Sequence, residues 1–232
     1  MVKVLSEKLV LKEKIKPKAM PKTKPKPAMK KRWARRKDAR PTEIISAALS
    51  QFALKGFAAT RLDDVAHAAG VTKGTLYLYF SDKEALFKQV VKSGMIENIS
   101  PLEAAIKAHD GKAEDMLRTI VTHMTTLVTT TQVGAIPKII ISEAGNFPKV
   151  TAFYRDEVVV RMHKLMVSII KKGVAQGEFA KAPYMEAARS LLAPIFMMAL
   201  AVNMPGFKEK LKMNPTKQAT VSLDIWLKGM RP

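Results

Sequence analysis

The 232-residue chain has no cysteine, so disulfides and thiolate metal sites are excluded. Aromatics make up only 6% of it. Long apolar runs are missing too. No stretch reaches the roughly 18–20 uninterrupted apolar residues that a membrane span needs. Residues 191–202 are apolar but too short, so no membrane span is expected. The first residues carry Lys at close intervals and no apolar segment, so no signal peptide is expected. Catalytic signatures are also lacking: no G-x-S-x-G, no H-E-x-x-H, no glycine-rich phosphate loop. The histidines are His67, His109, His123 and His163. None pair at a spacing of three or four residues, so no local metal site is expected. The chain reads as a non-enzyme without a cofactor.

What is present in excess is positive charge. Lys and Arg number 40 against 20 Asp and Glu, a net +20. Residues 1–40 hold 16 of those cations against 3 acids, and the remainder 24 against 17. A mildly basic body therefore carries a strongly basic tail, which suggests a polyanionic partner: nucleic acid first, an acidic membrane surface second. Between residues 16 and 31 prolines alternate with lysines, which favours an extended, disordered arm with no core of its own. Hydrophobic content of 47% with 14 Met provides for a real core, adaptable and mostly helical. Residues 1–40 are expected to be the arm, 41–90 a first domain and 91–232 a second.

Past the arm the apolar spacing is helical throughout, and no alternating strand pattern occurs. The fold class is all-α. Helix is expected over 42–55, with Ile45, Ala48, Leu49, Phe52 and Ala53 at helical spacing. Gly56 ends it as a left-handed cap. A second helix over 62–69 is expected to open on a capping box of Thr60 and Asp63. Gly70 supplies a tight turn, and Thr72 caps a third helix over 73–80. Ser81 and Glu84 form a further capping box before the fourth helix. Ser100 and Pro101 read as another helix start. Helical runs follow over 113–130, 134–145, 149–175, 183–202 with a kink at Pro194, and 216–230.

Two short helices joined at a large angle by a glycine-bearing turn are the helix-turn-helix pattern. The second would protrude and fit the major groove of DNA. Its outward face holds Lys73, Gly74, Thr75, Tyr77 and Leu78. Lys73 can reach a base edge or phosphate, Gly74 lets backbone approach, and the Thr75 methyl can meet thymine. Thr60, Arg61 and Lys83 are placed to clamp phosphates, which set register and not sequence.

The same residues resemble the tetracycline-repressor-like (TetR) family of bacterial transcription regulators. The likeness runs as A-A-L-x-x-F-A-x-x-G-F over 47–57 and T-x-L-D-D-V-A-x-A-A-G-V over 60–71. It continues as T-K-G-T-L-Y-x-Y-F-x-D-K-E-A-L-F over 72–87. This covers about a fifth of the chain. The resemblance implies that Lys73, Gly74, Thr75, Tyr77, Tyr79 and Lys83 lie on or beside DNA. With Thr60, Arg61 and Thr72 they form the expected DNA-contact set. It also implies a three-helix DNA-reading head joined to a helical ligand-binding and dimerisation domain. The partners implied are double-stranded DNA with a palindromic operator, a small-molecule effector and a second copy of the chain. A bacterial cytoplasmic, nucleoid-associated location follows from the same reading.

In the second domain, the expected effector pocket draws on Met116, Ile120, Met124, Phe147, Phe153, His163 and Met166, with His123, Tyr154 and Arg161 nearby. Met-rich walls favour an apolar or aromatic compound. Helices over 149–175 and 184–202 are expected to pair between copies through Ala187, Ala188, Leu191, Leu192, Ile195 and Met198. The function expected is a ligand-released, sequence-specific repressor. The alternatives are a non-specific DNA- or acidic-surface-binding protein driven by the arm, and a small-molecule binder with a vestigial head.

Overall fold

A stripe of three apolar side chains, Ile44, Ala48 and Phe52, is fully buried along the first helix, and the rest of the amino-terminal head forms around it. The computed structural model describes residues 29–210 and 212–232, and the part from Ala39 to Pro232 is one compact unit. Helix α1 runs Met29–Lys55. It therefore begins well before the expected start at Thr42 and takes in residues 29–40, which were assigned to the arm. Pro41 lies inside it and removes one amide donor from its ladder. The arm's earlier residues, 1–28, lie outside the described part. Gly56 ends α1 with φ +82°, its amide donating to the Phe52 carbonyl at 2.9 Å.

Helices α2 (Leu62–Ala68) and α3 (Lys73–Tyr79) follow, turned at Gly70, whose φ is +63°. The capping boxes before α2 and α4 differ from expectation. Arg61, not Thr60, is the N-cap of α2 and uses no side chain to cap it. Helix α4 (Lys83–Val91) is capped by Asp82, whose carboxylate accepts from the Ala85 amide at 2.7 Å. Ser81 instead donates to that carboxylate at 3.0 Å. A carboxylate is the stronger acceptor for a helix amide, so Asp82 takes the cap.

A π-helical turn, Lys92–Ile96, joins α4 to α5 (Glu97–Ala108) without a break. Ser100 and Pro101 thus do not start a helix; Pro101 sits inside α5. Then come α6 (Ala113–Thr130), α7 (Ala135–Glu143) and α8 (Pro148–Tyr154). A second π turn, Arg155–Val160, carries α8 into α9 (Arg161–Ala175). Last are α10 (Tyr184–Val202), the short α11 (Phe207–Lys210) and α12 (Pro215–Gly229). No strand occurs among the described residues.

Helix α10 is central, touching α6, α7, α9 and α12. By length and composition it could cross a membrane, with mean hydropathy 1.5. Its apolarity has another cause: Ala188, Leu191, Ile195, Met198 and Ala199 are buried against those neighbours. The same packing corrects the expected interface between copies. Ala187, Ala188, Leu191, Leu192, Ile195 and Met198 are all buried within this one chain. Arg118 ties α6 to α12, bonding Glu114 at 2.9 Å and Asp224 at 2.8 Å.

The turn before α7 is the tightest point. A Cβ on Gly134 would lie 1.8 Å from the Val128 carbonyl oxygen, whereas one on Gly145 would meet nothing within 4 Å. Gly134→Ala is expected to cost about 3 kcal/mol and Gly145→Ala well under 1 kcal/mol. Urea unfolding of the two variants checks this, and equal stabilities would contradict it.

Candidate functional site

Helix α3 buries only Leu76, with Phe80 closing it from beyond its end. Everything else on it faces outward or sideways. Thr72 accepts from the Thr75 amide at 3.1 Å, and the two threonine hydroxyls bond each other at 2.9 Å. Both hydroxyls are therefore partly spent on the helix's own first turn. Lys73 is exposed and pairs with Asp63 of α2 at 2.9 Å. Asp63 thereby holds the Lys73 ammonium above its ordinary pKa. Such an exposed pair is weak and exchanges readily for a phosphate. Gly74 is exposed, and a Cβ there would meet only the Thr72 hydroxyl at 4.0 Å. Tyr77 is 45% exposed and Leu78 83%. Arg61, the N-cap of α2, is exposed as well. A two-turn helix with these side chains outward has the chemistry to enter a DNA groove.

Three of the expected contact residues behave otherwise. Thr60 is buried, its hydroxyl donating to the Gly56 carbonyl at 2.6 Å and the Gln51 carbonyl at 3.2 Å. It locks the turn after α1 and has no hydroxyl to offer a phosphate. Lys83 is half-buried and donates to three backbone carbonyls: Phe57 at 2.8 Å, Ala58 at 2.9 Å and Thr60 at 3.1 Å. Its Nζ also stands 4.7 Å from the Phe57 ring centre. Desolvation pushes its pKa down. It is a staple between α4 and that turn. Tyr79 is partly buried against the core, with its ring 6.4 Å from that of Phe80. Thr72, Lys73, Gly74, Thr75, Tyr77 and Arg61 remain at or near the surface.

The second feature is a cavity of about 460 Å³. Its walls come from α6, α7, α8 with the π turn after it, α9 and α10, with Met95 of the π turn after α4. Of the expected liners, Met124 and His163 do line it. Met116, Ile120 and Met166 do not; they are core side chains. Phe147 and Phe153 instead face the head. The Phe147 ring meets Phe57 edge-on at 4.7 Å, and the Lys88 ammonium lies 5.8 Å from the Phe153 ring. Periodicity marks which side of a helix is apolar; it does not say whether that side meets another helix or a void. The liners missed include Ile140, Val158, Met162, Leu192 and Phe196. Tyr154, noted only as a neighbour, lines the wall. Burial pushes its phenol above the ordinary range. The His163 ring is tied to the Val159 carbonyl at 2.7 Å. Burial pushes the pKa of His123 down, but His123 is not a liner. Arg161 pairs with Glu103 at 2.9 Å instead. Arg155 and Arg189 line the cavity with exposed side chains, and each is paired with an acid near it in sequence: Arg155 with Asp156 at 2.8 Å and Arg189 with Glu186 at 3.3 Å. Among the described residues no group of acids and histidines could hold a metal.

Two family models match this arrangement along the chain. Residues 44–90 match the bacterial regulatory proteins of the tetR family, and residues 115–223 the C-terminal domain of AefR-like transcriptional repressors. The chain belongs to the tetR family. It is 39% identical over 67 residues to the HTH-type transcriptional regulator YfiR of Bacillus subtilis, covering 29% of this chain and 33% of that one. The HTH-type transcriptional repressor KstR2 of Rhodococcus jostii is 25% identical over 171 residues, 73% of this chain and 82% of that one. Among solved structures, FadR of Bacillus subtilis, in complex with stearoyl-CoA, aligns with TM-score 0.68. Its identity is 21%, over 82% of this chain and 99% of that one. In YfiR and in RutR of Escherichia coli the match spans only about a third of the relative's length.

In this tetR-family chain the head and the cavity wall touch directly. Glu143 ends α7, and Phe147 immediately precedes α8. Glu143 accepts from the Ala58 amide at 3.0 Å, beside the Phe147–Phe57 ring contact. Lys83→Met should remove the staple at this junction and cost about 2 kcal/mol, read by urea titration. Unchanged stability would mean that water serves those carbonyls equally well.

Proposed function

We propose that this protein is a dimeric, ligand-responsive transcriptional regulator that binds a palindromic DNA operator and is released from it by an apolar effector. The observation that carries the reading is the face of α3. It holds a cation, a glycine and two large exposed side chains on a head whose other helices bury their apolar stripes. Arg61, Lys73 and Tyr77 are the proposed phosphate and groove contacts, with Gly74 allowing close approach. Thr72 and Thr75 keep the first turn of the helix in shape. The effector belongs in the cavity, whose volume is that of a small-ligand site. The complex of FadR with stearoyl-CoA supports an effector with an apolar body, since that protein shares this fold. Arg155 and Arg189 on the cavity lining can take an anionic group of the effector in exchange for Asp156 and Glu186, since exposed ion pairs of this kind are weak.

A second copy would pack on the apolar surface that this chain leaves uncovered. Met197 of α10 is 60% exposed and Ile225 of α12 66%, with Val221 also exposed. A dimer presents two α3 helices and so reads a palindrome. Ligand in the cavity would strain α7 and α8, and through Glu143 and Phe147 the head. The result is a shift between DNA-fitting and non-fitting states.

Selection of bound fragments from a random DNA library at ~150 mM salt, which trims electrostatic binding, should enrich one palindrome. Lys73→Ala and Tyr77→Ala should each weaken its binding about tenfold or more, within the ~1–3 kcal/mol of a good groove contact. Binding that vanishes with salt and enriches no motif would favour a non-specific protein driven by the basic tail.

Effector chemistry has its own test. Decanoate should release the enriched fragment at lower concentration than decanol, and Arg155→Gln with Arg189→Gln should erase that difference. Equal potency of acid and alcohol on the unaltered protein would remove the arginines from ligand binding.

A further inference from the structure

Leu78 is the most exposed of the large apolar side chains among the described residues, at 83%. An isolated exposed leucine needs no explanation. Its position makes this one informative. It stands one helical turn beyond Gly74, so the two share a ridge along α3. A Cβ on Gly74 would meet only the Thr72 hydroxyl, at 4.0 Å, and its absence lets that ridge come close to a flat partner.

The polar groups around the ridge are largely engaged. Thr72 caps the Thr75 amide, the Thr75 hydroxyl bonds Thr72, and Lys73 bonds Asp63. Leu78 has no hydrogen bond to give. A ridge of this kind selects a partner by shape and apolar contact. In the major groove only one ordinary base offers an apolar group: thymine, through its C5 methyl.

We propose that Leu78 is a specificity-determining residue, reading a thymine C5 methyl in each half-site. This rests on the reading of α3 as the helix that enters the groove. Leu78 then sets sequence while Arg61 and Lys73 set register. The preference is for thymine over cytosine at one position. It extends to 5-methylcytosine, which carries the same methyl at the same place.

The probe is the DNA fragment enriched by the selection above, with each thymine replaced in turn by uracil. Uracil lacks only the methyl and keeps every hydrogen-bonding group. At one position per half-site, uracil should weaken binding about fourfold, the share of one buried methyl. Replacement in both half-sites should give about fifteenfold, since the two contributions multiply. In Leu78→Ala the same substitutions should have no effect, while binding of the uracil fragment stays near that of the unaltered protein. Leu78 is too exposed for this change to unsettle the fold, and circular dichroism melting confirms that arm. An enriched fragment indifferent to uracil, or one whose uracil sensitivity survives Leu78→Ala, overturns the inference and leaves the proposed function standing. A selection that enriches no fragment overturns both.

Discussion

The edge-on contact between Phe57 and Phe147 is the point on which the two halves of the structure depend. Phe57 sits on the turn after α1 and Phe147 on the turn before α8. Around them, Phe52 and Phe87 complete an aromatic cluster with ring centres 5.2–5.4 Å apart. Lys83 lies over the Phe57 ring and gathers the carbonyls of the same turn. Aromatic pairs of this geometry add to the effect of area burial alone. A turn held by rings, a cation and the buried Glu143 has few ways to move independently of its neighbours.

That junction bears on the proposed switch. The cavity is bounded by α7 and α8, and these two helices meet at the residues that grip the head. A change in cavity volume has a short path to α1 and α2, through packed side chains and one buried hydrogen bond. Closely packed elements of this kind tend to shift between discrete arrangements instead of deforming smoothly. The π turns at Lys92–Ile96 and Arg155–Val160 lie in the long helices on either side, where an extra residue per turn lets each helix change face.

The head shows how a surface is made available for binding. Lys83, Thr60 and Asp82 consume their polar groups on the backbone, and Asp63 occupies Lys73 only loosely. What stays open on α3 is a mixture of one exchangeable cation, one phenol, one glycine and one leucine. The cavity has the opposite character, with apolar walls and both of its cations at exposed positions. The two sites thus favour different ligand chemistry within one compact unit.

Much of this was legible in the residues themselves. Apolar spacing located most of the helices, and Gly56 and Gly70 marked turns that do have positive φ. The motif over 47–87 identified the family, because turn glycines, caps and buried positions recur at distances set by local backbone geometry. Tertiary structure decided what local rules do not see. Thr60 and Lys83 look like surface clamps in sequence, yet their partners, backbone carbonyls up to 26 residues away in the case of Lys83, exist only once α4 folds back on the turn. Asp82 displaced Ser81 as a cap because a carboxylate out-competes a hydroxyl for an amide. The cavity was less visible: of the seven expected liners only Met124 and His163 lie on it, whereas Met116, Ile120 and Met166 turn inward to the core and Phe147 and Phe153 face the head. Helical periodicity assigns each side chain a direction from its own axis. Only the arrangement of several helices around one space determines whether that direction ends in a neighbour or in a void.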